Sequence, residues 1–100
     1  MYNLHPGFSI SPVPGRAGET VKIRYHGLLS GAGADQVFLH TGYGTASWQN
    51  IYDHRMNKAG NEWEKSIEIE RDGQFNFCFK DSADNWDNNN GMNWSYTIER

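Results

Sequence analysis

Three aspartates, Asp81, Asp84 and Asp87, recur at every third position, which invites a calcium reading. A calcium loop of the EF-hand kind needs oxygen ligands at alternate positions and a terminal bidentate Glu, and the match fails. His5, His26, His40 and His54 have no zinc-ligand spacing, so no metal is expected. Cys78 lies between Phe77 and Phe79, where a thiol acts as a small hydrophobe and lacks the basic neighbours that make a thiolate. Glu62, Glu64, Glu68 and Glu70 alternate along what reads as the solvated face of a strand, a charged face that blocks edge pairing. Catalysis needs a nucleophile beside a base, or two carboxyls facing each other across a cleft. Neither pattern is present. The chain reads as a protein without catalytic residues and without a cofactor.

Aromatic residues in polar loops are harder to dismiss. Trp48 follows the glycine-bearing loop at 42–47, and Trp86 sits among Asn and Asp in residues 83–91. Trp63 and Trp94, by contrast, belong to alternating apolar patterns and are assigned to the interior. A Trp set among amides is expected at the surface, where an exposed indole invites a ligand. Asn90-Gly91 has its own explanation as a turn, whereas Asn88 and Asn89 are not needed for one. Amides beside a flat ring suit a sugar, whose C–H face lies on the indole while its hydroxyls take hydrogen bonds. Two other roles remain open for the loop indoles. They could fold back as lids over one end of the fold, or anchor a partner protein as interface hot spots. His40 shares a strand face with Phe38, opposite Val37 and Leu39, and so points away from the core side. Tyr43 and Tyr52 are further aromatic candidates that could equally be filler.

The elements that must position these residues are strands. One hundred residues make one domain, here 1–100, with a modest core. A 37% hydrophobic content with fourteen aromatics excludes a disordered chain. Eleven glycines favour turns over helices. Residues 8–13 read as an edge strand because of Pro12 within the run and Pro14 just after it. Residues 19–26 alternate, with Val21, Ile23 and Tyr25 on one face, and residues 36–43 repeat the pattern. Residues 51–58 form a weaker strand, and Trp63, Ile67 and Ile69 mark another. Arg71-Asp72-Gly73-Gln74 reads as a tight type I′ hairpin turn leading into Phe75, Phe77 and Phe79. Trp94, Tyr96 and Ile98 share one face of the last strand, near 93–99. The count is six or seven strands and no helix, an all-β antiparallel sandwich. The one cysteine cannot form an internal disulfide. A net charge of −3 argues against nucleic acid, and no apolar run is long enough to span a membrane. With no signal peptide in residues 1–15, the expected location is the cytoplasm, or outside the cell if the chain is a module of a secreted enzyme.

The stretch Val37-Phe38-Leu39-His40-Thr41-Gly42-Tyr43-Gly44, followed by Trp48, resembles the first binding motif of carbohydrate-binding module family 25. Asn85-Trp86-Asp87-Asn88-Asn89-Asn90-Gly91-Met92-Asn93-Trp94 is similar to that family's second motif, and residues 18–27 to its opening strand. The resemblance covers about residues 17–98, with motif order and spacing in agreement. It implies an immunoglobulin-like β-sandwich that binds α-glucans (starch, glycogen or malto-oligosaccharides) without catalysis. It also implies that His40, Trp48 and Trp86 form the sugar platform, with Asn88 and Asn90 as polar partners. Such modules usually accompany amylases, so a glycoside hydrolase in the same or another chain is the implied companion.

Overall fold

The computed structural model describes residues 4–5, 7–27, 29, 33–89 and 91–99. Asn90 and most of the Gly31-Ala32-Gly33 loop lie outside the described residues. In chain order the strands are β1 (Leu4–His5), β2 (Phe8–Ser11), β3 (Thr20–Tyr25), β4 (Val37–Tyr43) and β5 (Gln49–Arg55). They continue with β6 (Asn57–Ala59), β7 (Glu62–Glu68), β8 (Gly73–Asp81), β9 (Trp86–Asp87) and β10 (Trp94–Ile98). One sheet runs β1-β2-β3-β7-β6, the other β10-β8-β4-β5, with β9 added beside β8. Every pairing between named strands is antiparallel, and the two sheets pack as a sandwich.

Period-2 patterning explains the packing. Val21, Ile23 and Tyr25 of β3, Val37 and Leu39 of β4, and Phe75, Phe77 and Phe79 of β8 are all fully buried. Phe8 meets Phe77 edge-on at 5.2 Å, and Tyr25 stacks on Phe79 at 4.2 Å. Burying each such ring stabilises the fold by about 2–3 kcal/mol. Trp63 is core, at 6% exposure. Trp94 is only half-buried, packing against Phe8 at 4.9 Å at the margin of the same cluster.

Four expectations about the strands need correction. The Asp72-Gly73 turn does not make a hairpin, because β7 and β8 belong to different sheets. Gly73 alone has positive φ there (+101°), whereas a type I′ turn needs two such residues. Before it, Ile69 N donates to Glu19 O and Glu70 N to the Tyr43 hydroxyl, which ties the crossing segment to both sheets. Residues 51–58 are likewise not one strand. Met56, buried within an otherwise exposed polar run, donates its N–H to Val37 O where the chain leaves β5 for β6 in the other sheet. Glu62 and Glu64 do not guard an edge either, since β6 pairs with β7 over Glu62–Glu64, whereas Glu68 lies beyond β6; Glu64 pairs with Lys22 and Arg24 across the outer face. Strand β2 is an open edge only beyond Ser9, because β1 pairs with Phe8 and Ser9.

Candidate functional site

The aromatic residues singled out above come together on the outer face of the second sheet. Alternation sends Val37, Leu39 and Thr41 of β4 inward, so Phe38, His40 and Gly42 face out. Register sets Cys78 of β8 on one side of His40 and Asp53 of β5 on the other. Gly42, next along this face, leaves room that the Trp48 indole fills. A Cβ there would come within 2.6 Å of Trp48 Cε3. A bulge between β4 and β5, with Asn50 at φ +54°, bends β5 beside this loop.

The Trp48 and His40 rings lie nearly parallel, centroids 5.6 Å apart and planes 29° apart. Trp86 stands edge-on to His40 at 5.1 Å and 88°. The two indoles therefore make a steep angle around the imidazole. Together with Ile51, Cys78, Asn88 and Asn93 they line a cleft of about 400 Å³.

Hydrogen bonds and charge hold the rings. His40 Nδ1 donates to the Asp53 carboxylate, which can only accept. Lys80 Nζ lies 3.5 Å from Asp53 and 3.5 Å from Asp84, and 5.4 Å from the centre of the Trp86 ring. Burial alone would raise the Asp53 carboxyl, but His40 and Lys80 outweigh it and hold it below its usual range. Burial likewise opposes the charge on Lys80, and Asp53 and Asp84 outweigh it in turn. Burial pushes the Cys78 thiol up to about 12, with Asp53 and Asp87 adding to the effect, so it floors the cleft as an inert thiol.

The aspartate series is the scaffold of the Trp86 loop. Asp81 accepts from the N–H groups of Ala83 and Asn85, at 2.9 and 2.8 Å, and from the Asn85 amide at 2.9 Å. Asp87 accepts from the buried Tyr25 hydroxyl at 2.6 Å, and that oxygen accepts from Leu29 N at 2.9 Å. Gly27 makes this approach possible, since a Cβ there would meet Asp87 Oδ2 at 2.9 Å. All three aspartates are thus engaged within the protein. Among the described residues no three His, Cys, Asp or Glu side chains gather as a metal site.

His40, Trp48, Trp86 and Asn88 line one cleft, while Asn90 lies outside the described residues. Asn88 and Asn89, read from sequence as unneeded for a turn, in fact build it. Asn88 O and Oδ1 both accept from Gly91 N, and Asn89 Nδ2 donates to Asn93 O. Asn88 therefore has its NH₂ group and one remaining lone pair on Oδ1 to turn toward a ligand. Tyr43 is filler, buried with its hydroxyl accepting from Glu70 N. Sequence reasoning missed Ile51, Cys78 and Asn93 as lining residues. Asn93 stands inside the second motif, but Ile51 and Cys78 reach the cleft only through cross-strand register.

A family model described as starch/carbohydrate-binding module (family 53) matches residues 21–77. The chain belongs to this family. The matched span takes in His40 and Trp48 and ends before the Trp86 loop. The family is 53, where the motifs on their own resemble family 25; the starch-binding class is common to both readings. No curated protein and no solved structure matches the chain. As a carbohydrate-binding module, the protein has a carbohydrate as its partner.

Proposed function

We propose that this family 53 module is a single immunoglobulin-like domain spanning residues 1–100. It binds α-glucans (starch, glycogen and malto-oligosaccharides) by stacking glucose rings on Trp48 and Trp86. The observation that carries this reading is the meeting of His40, Trp48 and Trp86 around one outward-facing cleft. Two indoles set at a steep angle suit a chain that turns between successive rings, and they suit a flat cellulose ribbon poorly. The Asn88 NH₂, His40 Nε2 and Asn90 supply polar contacts to the hydroxyls. A glycoside hydrolase in the same or another chain is the natural companion of such a module.

If the two indoles desolvate on the order of 150 Å² of apolar surface, the gain is about 4 kcal/mol at ~25 cal/mol/Å². Association costs remove part of this and hydrogen bonds restore some, which gives a Kd of about 10 µM to 1 mM. Affinity electrophoresis in gels carrying amylopectin, glycogen, cellulose or no polymer tests the reading. Retardation by the two α-glucans and not by cellulose is expected. Equal mobility of the folded protein in all gels refutes it. Trp48→Ala and Trp86→Ala should each weaken malto-oligosaccharide binding about thirtyfold while the protein stays folded. His40→Ala should weaken it less, because its ring covers less sugar.

A further inference from the structure

A second cleft, of about 310 Å³, opens on the other side of β5. Its aromatic member is Tyr52, which pairs with the inward-facing Thr41, so its ring lies on the inner side of the second sheet. The first sheet does not cover it there: Tyr52 is 63% exposed. The exposed ring lies in a cleft, where a ligand can reach it. The ring is also oriented. His54 meets it at 4.7 Å and 61°, and His54 Nε2 is itself 3.1 Å from the Thr41 hydroxyl.

The walls supply polar groups. Glu68 and Glu70, both exposed, offer carboxylate oxygens that can accept paired hydroxyls, and Asn50 offers an amide. Lys65 acts electrostatically on His54, and Arg71 Nη1 lies 3.5 Å from Asn50 Oδ1. Asp53 also acts on His54, so three carboxylates and two cations surround the cleft. Burial, with Lys65, lowers the His54 pKa, so the imidazole is neutral at pH 7. A flat oriented ring with amide and carboxylate acceptors suits the hydroxyls and C–H face of a polyol ring rather than an anion.

The two clefts are joined. Ile51, 55% exposed, lines both, at the point where the Asn50 bulge bends β5. We propose that Tyr52 floors a second subsite, which takes a further glucose ring of the same α-glucan chain where it passes over Ile51 from the tryptophan platform. This rests on the α-glucan reading above.

The test is calorimetric titration with maltotriose and maltoheptaose on the wild type and on Tyr52→Ala, Tyr52→Trp and Trp86→Ala. Three rings occupy the platform, whereas seven reach past Ile51. Tyr52→Ala should leave the maltotriose Kd within about twofold and raise the maltoheptaose Kd about five- to tenfold. Tyr52→Trp should restore or improve maltoheptaose binding alone. If Tyr52→Ala binds maltoheptaose as the wild type does while Trp86→Ala loses both sugars, the platform stands and the second subsite is refuted. Equal weakening of both sugars by Tyr52→Ala refutes it too, because Tyr52 would then act through the platform. A folded wild type that binds neither sugar overturns the α-glucan reading and the subsite with it.

Discussion

Gly42→Ala adds one methyl group under the Trp48 indole of the proposed sugar platform and nothing else. The φ of Gly42 is not in the left-handed region, so alanine fits its backbone conformation. The substitution should even stabilise the strand by about 0.4–1 kcal/mol through the unfolded chain. Against this, the new Cβ would stand 2.6 Å from Trp48 Cε3 and 3.0 Å from Trp48 Cβ. Ordinary carbon contacts are about 3.5–4.0 Å, so the indole must lift by about 1 Å. It then leaves its near-parallel position beside His40.

The size of the effect follows. On the proposed stacking mode, one indole face contributes about 2 kcal/mol. A gap of about 1 Å forfeits a quarter to a half of the dispersion well, or about 0.5–1 kcal/mol. The loss in affinity is therefore about two- to fivefold if the ring tilts, rising to about thirtyfold if it swings away. Calorimetric titration with maltoheptaose, with thermal melting on the same samples, reads both quantities. The expected result is weaker binding at a melting temperature within a few degrees of the wild type. Unchanged affinity together with unchanged tryptophan fluorescence would show that Trp48 does not rest on Gly42, and the reasoning fails.

Other substitutions probe the supports. Trp63→Ala should cost about 3–5 kcal/mol in a denaturant melt, whereas the half-buried Trp94 should cost about 2–3 kcal/mol; equal costs would contradict their different burial. Asp53→Ala should weaken malto-oligosaccharide binding about three- to tenfold by releasing His40 and Lys80, and Asp53→Asn less, since one acceptor remains. Because the folded Asp53 pKa is depressed, its contribution is complete above the ordinary carboxylate range and is lost as pH falls through the lower folded value. A titration series in which the Asp53→Ala effect persists undiminished at strongly acid pH would contradict this. Tyr25→Phe removes the hydroxyl that links Leu29 N to Asp87, and should cost about 1–2 kcal/mol of stability while loosening the Trp86 loop. Normal stability with normal binding would show that this link does not hold the loop.

The strand faces were legible in the sequence wherever a period of two was unbroken, as at Val21, Ile23 and Tyr25 or Phe75, Phe77 and Phe79. The sheet assignments were not. An Asp-Gly pair between two apolar runs signals a hairpin on local grounds, yet the partner of β7 is β3, about forty residues earlier in the chain. That choice is made by nonlocal burial, which a short window does not contain. Met56 shows the same limit, since one apolar residue in a polar run carries no period. The cleft divides in the same way. Trp48 and Trp86 stood out because each sits in a polar loop, and His40 because its strand alternates. Cys78, Ile51 and Lys80 acquire their roles from register alone.

The aspartates show how a pattern can be noticed and its purpose missed. Spacing of three made Asp81, Asp84 and Asp87 resemble cation ligands, while each carboxylate in fact answers a different neighbour. Asp81 gathers the amides of its own loop, Asp84 pairs with Lys80, and Asp87 takes the Tyr25 hydroxyl. The effect falls on Trp86, which is 43% exposed and lies outside the buried apolar cluster. An indole in that position would otherwise sample many rotamers, and ordering it on binding would cost about 0.5–1.5 kcal/mol. The Asp81 and Asp87 anchors fix its backbone, and the Lys80 ammonium beside its ring, held by Asp53 and Asp84, restricts its side chain. Asp53 also grips His40. One carboxylate on β5 thus helps to hold two of the three rings of the proposed platform, His40 directly and Trp86 through Lys80.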